Sequence, residues 1–192
     1  MTMTNRYSTV AIILHWTIAV LLVSMIFFGW YADDLREALP QGGATLGEVR
    51  TAFSWHKTFG ILVLLLSLVR LGWRLTHTAP PLPDAMPAWE RFAARFTHVA
   101  FYVLMIGMPL LGWLAASSSG IGSFLFDNPQ IVLPDLPVPE SEALHDTTAW
   151  LHGRGAWAIL VLLALHAGAA LKHHILDKDD VLTRMLPFLP RR

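Results

Sequence analysis

Four long apolar segments, separated by polar stretches, dominate the hydrophobic pattern of this 192-residue chain. They cover residues 10–31, 53–73, 96–117 and 150–174. Each is close to the ~20 residues that a helix needs to cross the hydrocarbon core of a membrane. Open strands would leave backbone groups unsatisfied in lipid, so the segments are expected to be helical. The pattern predicts an all-α membrane protein, a four-helix transmembrane bundle built as a single domain over residues 1–192.

The first apolar segment is expected to be retained rather than cleaved as a signal peptide. It is longer than the apolar region of a signal peptide, and no clear small-x-small cleavage site lies before Asp33 and Asp34. It also carries His15 and Trp16, which a signal peptide does not need.

Lysine and arginine residues predict the orientation of the bundle. With the four spans above, one side carries ten of them and the other side carries four. The positive-inside rule therefore predicts cytoplasmic termini (N-in, C-in) for a protein that crosses the bacterial inner membrane several times. The ten are Arg6, Arg70, Arg74, Arg91, Arg95, Lys172, Lys178, Arg184, Arg191 and Arg192. The net charge is zero, and we expect contact with membrane lipid and none with nucleic acid.

Seven of the nine histidines lie inside the apolar segments, and four of these seven are the candidate metal ligands. An imidazole at membrane depth is costly, so a functional role is the default expectation. Because successive helices alternate in direction, His15 and His166 fall near the inner face, and His56 and His152 near the outer face. His152 and His166 are 14 residues apart. That separation rises ~21 Å and returns to within about 40° of the starting direction.

Each predicted pair comes from two helices and is suited to hold a haem from both sides, with one axial nitrogen from each ring. The chain has no cysteine, so covalent haem attachment and an iron–sulfur cluster are excluded. The residue four positions after each histidine is small and leaves room on the same face. These residues are Ala19, Gly60, Ala156 and Ala170. The prediction is two non-covalently bound haem groups, with iron bound by His15 and His166 at the inner site and by His56 and His152 at the outer site.

Other types of site are weaker interpretations of the same histidines. A single histidine near the end of a span is often only interfacial. Zinc sites and proton-coupled ion pathways usually recruit carboxylates beside imidazoles, and no Asp or Glu lies inside the four spans. This absence favours electron transfer.

Four further residues are candidates with two interpretations each. Arg70 and Arg74 lie at i and i+4 near the inner face, where they either pair with haem propionates or extend to the interface. His173 lies seven residues after His166 and either donates a hydrogen bond to a quinone carbonyl or is interfacial. His98 has Tyr102 at i+4, so it is expected near a ligand or at the interface rather than on the iron, and its role stays open.

The chain resembles the bacterial cytochrome b561 family of four-helix dihaem cytochromes. The resemblance covers all four spans and both histidine pairs and fades in the outer loops. It is carried by Arg6-Tyr7-Ser8, Leu14-His15-Trp16, His56-Lys57-Thr58-Phe59-Gly60, Val69-Arg70-Leu71, residues 79–83, His98, Met108-Pro109-Leu110-Leu111-Gly112, Trp150-Leu151-His152, Leu165-His166-Ala167-Gly168, His173-His174 and Arg184-Met185-Leu186-Pro187. It implies two haem b groups with the pairing above and electron exchange with the quinone pool. One type within the family is a superoxide oxidase, which passes an electron from periplasmic superoxide to ubiquinone.

We therefore expect an electron-transport protein of the respiratory chain that moves electrons between a periplasmic reactant and quinone. The specific hypothesis is a superoxide:ubiquinone oxidoreductase. Lys57 and Arg154 beside the outer histidines would attract the superoxide anion locally, although four cations and nine acids give the outer side a net charge of −5. One alternative is an electron-transfer subunit that docks a dehydrogenase or a periplasmic redox protein. Another, from a different class, is a haem-free transporter or structural bundle.

Overall fold

The computed structural model describes residues 6–186 and 188–189, and within them four long helices form a bundle. They are α1 (Thr9–Ala38), α2 (Leu46–Thr76), α3 (Ala88–Ser118) and α4 (Glu142–Lys172). Each is long and apolar enough to cross a membrane. The predicted four-helix membrane bundle is confirmed, and its direction of insertion stays a prediction.

The helices are 30 or 31 residues long, well beyond the predicted spans. The extra turns lie in the polar flanks. Helix α1 continues seven residues past its predicted end, and α2 and α4 start seven and eight residues before their predicted spans, at capped positions. Ser8 accepts a hydrogen bond from Ala11 at the start of α1, and Ser141 does the same for Leu144 at the start of α4. Thr45 and Glu48 form a reciprocal capping box on α2. Such caps contribute about 1 kcal/mol each, which apolar length alone does not reveal.

The buried core lies in the middle of the bundle. It consists of Ile18, Leu22, Ile26, Val63, Met105, Met108 and Ile159, with contributions from all four helices. Helix α1 packs mainly on α2, and α3 packs on α4 and α2. Most other apolar side chains point outward, as expected for a bundle whose surface contacts lipid.

A β-hairpin follows α3, where the Pro-, Ser- and acid-rich composition of residues 118–149 predicts an irregular loop. Strand β1 (Ser123–Leu125) pairs antiparallel with β2 (Asn128–Leu133). Phe126 and Asp127 make the two-residue turn with φ of 57° and 52°, a left-handed pair typical of hairpin turns. The expectation was wrong because glycine usually marks such a turn in a sequence, and neither of the two central residues of this turn is glycine.

Helix α4 ends in one turn of π-helix, His173–Asp177, which stops at Lys178 with φ of 56°. The residues after it fold back across the same end of the bundle. The Trp16 indole N–H donates to the carbonyl oxygen of Met185 at 2.9 Å, and the Arg184 guanidinium donates to the carbonyl oxygen of Pro81. These contacts join α1, the α2–α3 connection and the segment after α4.

Candidate metal centres

The bundle has two ends, which are named here by what lies at each. The start of α1 and the end of α4 lie at the terminal end, and the β-hairpin lies at the hairpin end. At the terminal end, the rings of His15 and His166 have centres 6.2 Å apart with planes at 58°. At the hairpin end, the rings of His56 and His152 are 6.0 Å apart with planes at 79°. The structure thus places next to each other the histidines that the sequence analysis paired. We refer to them as the terminal pair and the hairpin pair.

In every helix, two positions 14 residues apart lie at the depths of the two histidine pairs. We call these depths the two levels of the bundle. Gly29 and Gly112 contact the hairpin pair. The ring centre of His98 lies 5.9 Å from that of His166 in the terminal pair. Helix α2 contributes a histidine at one level and an arginine at the other. The four spacings are His15 and Gly29, His56 and Arg70, His98 and Gly112, and His152 and His166. Each helix therefore presents one residue to each level of the bundle.

Midway between the levels lies an apolar layer. Leu22, Val63, Met105 and Ile159 are each seven residues from a position at either level, and all four are buried. This layer separates the two histidine pairs with hydrocarbon side chains from all four helices.

Two glycines seat the imidazoles of the hairpin pair. A Cβ on Gly29 of α1 would lie 2.9 Å from Cε1 of His56, and a Cβ on Gly112 of α3 would lie 3.0 Å from Cε1 of His152. Any other residue at these positions would displace the ring or the helix. The sequence analysis missed both glycines and named only the small residues four positions after each histidine. The 14-residue spacing from His15 and His98 was the signal that could have found them.

The ring nitrogens are arranged for metal binding. The Nδ1 atom of His152 lies 2.9 Å from the carbonyl oxygen of Met108. A carbonyl only accepts, so Nδ1 carries the hydrogen and Nε2 keeps its lone pair. The Nδ1 atoms of His15 and His56 are buried and have no hydrogen-bond partner among the described residues.

The residues present fit haem b. Two imidazoles that bind one metal ion from opposite sides, with metal–nitrogen bonds of about 2 Å, have ring centres about 6 Å apart. The separations of 6.2 and 6.0 Å match this value. The apolar interior of the spans contains no acidic residue that would serve as a further ligand. For iron held by two imidazoles, the ring nitrogens of a haem would supply the remaining ligands.

Three imidazoles, rather than two, meet at the terminal end. His98 of α3 lies as close to His166 as His15 does, with ring planes at 63°. Arg70 of α2 is partly buried and lies 5.9 Å from the ring of Tyr102, whereas Arg74 is exposed. Pairing of these arginines with haem propionates stays a prediction.

His173 lies in a cluster of charged groups at the same end. Its Nδ1 atom is 2.7 Å from Asp179 and 3.0 Å from Asp177, and its Nε2 atom is 3.5 Å from Glu90. Sequence reasoning singled out the histidine but none of these carboxylates. They lie outside the apolar segments, and Glu90 is 83 residues earlier in the chain.

The two cations expected beside the hairpin pair have different surroundings. Lys57 is partly buried, and its ammonium donates to the carbonyl oxygen of Gly122, next to the hairpin, at 3.3 Å. Arg154 is exposed, with its guanidinium 5.7 Å from the ring of Trp150. Of these two cations, only Arg154 presents its charge openly.

The fold and these paired imidazoles define a class of protein, the membrane-embedded haem cytochromes. The model of one family within that class, the prokaryotic cytochrome b561 family, matches residues 6–188, and the chain belongs to this family. Membership makes the protein a multi-pass membrane protein of electron transfer and implies haem b as its cofactor. The resemblance seen in the sequence is thereby confirmed.

Curated relatives cover nearly the whole chain. Cytochrome b561 homolog 2 of Escherichia coli K12 is 33% identical over 186 residues, which is 95% of this chain and 92% of the relative. Cytochrome b561 homolog 1 of the same organism is 34% identical over 188 residues, or 95% and 98% of the two chains. A protein of Yersinia pestis named "Probable superoxide oxidase CybB" is 27% identical over 96% of this chain and 98% of its own length.

Proposed function

We propose that the protein binds two haem b groups, one at each histidine pair, and transfers electrons between a reactant at the hairpin end and quinone at the terminal end. The observation that carries this proposal is the presence of two imidazole pairs, 6.2 and 6.0 Å apart, at two levels of one bundle. Bound haem would supply reversible one-electron chemistry at its iron. The rest of the function depends on what the side chains around it do.

The apolar layer between the two levels favours the passage of electrons and opposes that of protons and ions. Leu22, Val63, Met105 and Ile159 fill this layer and offer no polar group on which a proton or ion could rest. Electrons need no such groups. The layer therefore favours electron transfer over the alternative of a haem-free transporter.

The hydrogen bond from His152 to the Met108 carbonyl oxygen keeps Nε2 of His152 free for the iron. Gly29 and Gly112 leave space for the two rings of the hairpin pair. Together these contacts support the two imidazoles in positions that would suit a haem.

The terminal end is proposed to face the cytoplasm and the hairpin end the periplasm. Among the residues that the structure describes, eight of the twelve lysine and arginine residues lie at the terminal end, as the positive-inside rule expects for the cytoplasmic side. A haem at each level then connects the two faces of the inner membrane.

His173 is proposed to donate a hydrogen bond to a carbonyl oxygen of ubiquinone. It is buried, lies at the terminal end, and follows His166 by seven residues, or ~10 Å of helix. Since its Nδ1 atom faces Asp179 at 2.7 Å, Nε2 is the atom that can turn to the quinone.

Superoxide is the proposed electron donor at the hairpin end. The exposed guanidinium of Arg154, two residues after His152, provides a local positive charge for this anion. The relative from Yersinia pestis carries superoxide oxidase in its name. The resulting reaction is superoxide:ubiquinone oxidoreduction.

Steady-state superoxide-driven reduction of ubiquinone by the purified protein tests this function. Turnover by the purified protein in the absence of any partner protein supports this function. A subunit that docks a dehydrogenase or redox protein would be inert alone, and that result would contradict the superoxide proposal. A reduced-minus-oxidised spectrum without a b-type α band would contradict haem binding itself.

A further inference from the structure

Five charged or titratable side chains meet at the terminal end, and one of them is the proposed quinone ligand, His173. They come from the start of α3, the end of α4, the π-helical turn and the residue that follows its stop. They are Glu90, Lys172, His173, Asp177 and Asp179.

Glu90 occupies the centre of this cluster. It is only 9% exposed, although it is the third residue of α3. Its Oε1 atom accepts a hydrogen bond from the Lys172 ammonium at 2.5 Å. Its Oε2 atom is buried, has no hydrogen-bond partner among the described residues, and lies 3.5 Å from Nε2 of His173. A buried carboxylate oxygen without a partner is costly, and its direction toward Nε2 requires an explanation.

The opposite side of the His173 ring is held by two aspartates. Nδ1 lies 2.7 Å from Asp179 and 3.0 Å from Asp177. The π-helical turn and the left-handed Lys178 bring Asp179 back to the ring, and the Asp179 backbone N–H donates to the His173 carbonyl oxygen at 3.2 Å. A carboxylate only accepts, so Nδ1 carries a hydrogen. Proton exchange at this ring is therefore directed to Nε2, which faces Glu90.

Exposure decreases along the row from solvent to histidine. The side chain of Lys172 is 38% exposed, that of Glu90 is 10% exposed and that of His173 is 9% exposed. The three form a continuous series of contacts from water to Nε2 of the histidine. A π-helical turn within a helix is frequently found at functional sites, and here it shapes the end of this row.

We propose that Lys172, Glu90 and His173 form the proton entry route for quinone reduction, with Asp179 as the positioning residue of the histidine. This inference rests on the proposed function, because it requires quinone at His173. Reduction of one quinone consumes two electrons, one from each reduced haem, and two protons, and it converts both carbonyl oxygens to hydroxyls. Nε2 of His173 gives its proton to the quinone oxygen that it hydrogen-bonds, Glu90 reprotonates Nε2, and the Lys172 ammonium, reloaded from water, reprotonates Glu90. The carbonyl oxygen on the opposite side of the quinone ring takes its proton from water.

A bound divalent cation is the other role that this cluster suggests, since Glu90, His173 and Asp177 offer three ligand atoms within 4.8 Å of one another. The Lys172 ammonium, however, already lies 2.5 Å from Glu90 and 2.8 Å from Asp177. A cation would have to displace this ammonium, so the observed contacts favour proton transfer.

The test is anaerobic single-turnover reoxidation of the two reduced haems by a soluble ubiquinone, followed in the α band. It needs no periplasmic donor, so it does not depend on superoxide. Glu90→Gln keeps the shape of the side chain and can still accept from Lys172, but it cannot carry a proton. Reoxidation is expected to slow at least about tenfold, a small part of what a positioned acid contributes. Formic acid, which carries protons by diffusion, is expected to restore part of the rate.

Asp84→Asn is the matched control, because Asp84 is an exposed carboxylate at the same end, six residues before Glu90. Its rate is expected to equal that of the wild type. Lys172→Gln provides a second variant if Glu90→Gln does not retain both haems, and it is expected to slow reoxidation in the same way. The wild-type rate is expected to fall in D2O because quinone reduction consumes protons, and a purely structural role for Glu90 predicts no rescue of Glu90→Gln by formic acid.

Reoxidation at the wild-type rate in a Glu90→Gln protein with full haem content would overturn the route and leave the quinone proposal intact. A slow variant that formic acid does not restore would also overturn it. If quinone fails to reoxidise the wild-type haems, the proposed function fails, and the proton route fails with it.

Discussion

Gly29 of α1 and His56 of α2 are in direct contact, with so little space between them that a Cβ on Gly29 would lie 2.9 Å from Cε1 of the imidazole. The residue type at this position of α1 is thus restricted by the imidazole that α2 carries. The same relationship joins Gly112 of α3 to His152 of α4. All four helices contribute to the hairpin-end site, although only two of them supply an imidazole.

Gly29→Ala is expected to weaken haem binding at the hairpin pair. The added methyl group would push the His56 ring or separate α1 from α2, at a cost of about 1–3 kcal/mol. Haem content and the α-band spectrum of the purified variant measure the effect. Gly72→Ala is the control, since nothing lies within 4 Å of a Cβ at that position. Equal haem content and identical spectra in the two variants would show that the Gly29 contact is unimportant.

Ser54 holds the hairpin on α2, and its removal is expected to loosen the hairpin. Its hydroxyl donates to the Phe124 carbonyl oxygen at 2.9 Å and accepts from the Asp127 backbone N–H at 2.8 Å. Ser54→Ala loses both bonds, at a cost of about 1–3 kcal/mol. Hydrogen exchange of the hairpin amides should accelerate accordingly. Thr76→Val serves as the control, because the Thr76 hydroxyl bonds to carbonyls of its own helix; hairpin exchange as slow in Ser54→Ala as in this control would contradict the prediction.

Arg154→Ala is expected to slow the reaction with superoxide a few-fold and to reduce its dependence on ionic strength. The exposed guanidinium is the open positive charge beside His152, and attraction of an anion weakens as salt screens it. Stopped-flow reduction of the haems by superoxide at several salt concentrations measures both effects. Arg36→Ala is the matched control, because Arg36 already pairs with Asp33 at 2.7 Å. The steering role is excluded if Arg154→Ala and Arg36→Ala show the same salt dependence.

The membrane spans and the histidine pairs could be predicted from the sequence because both follow from regular patterns within single helices. Twenty apolar residues define a span, and the separation of 14 residues between His152 and His166 gives one direction at two depths. Because successive helices alternate in direction, this spacing assigned His15 to the same depth as His166 and His56 to the same depth as His152. The structure places these pairs together, while their binding of haem remains the proposal.

The remaining parts of the site depend on contacts between distant segments. Gly29 and Gly112 matter only because of how neighbouring helices rotate and approach, which a single helix pattern does not encode. The hairpin turn at Phe126 and Asp127 is stabilised by its bonds to Ser54 rather than by a turn sequence. Glu90 meets His173 only because α3 and α4 pack side by side.

Haem content after single substitutions on α4 tests most directly whether each histidine pair binds one haem. His152→Ala and His166→Ala are each expected to reduce the content from two haems per protein to one, with different remaining α bands, since the two residues belong to different pairs. His98→Ala is expected to keep both haems. Two haems per protein in either His152→Ala or His166→Ala, by pyridine haemochrome assay, would contradict the assignment of the pairs.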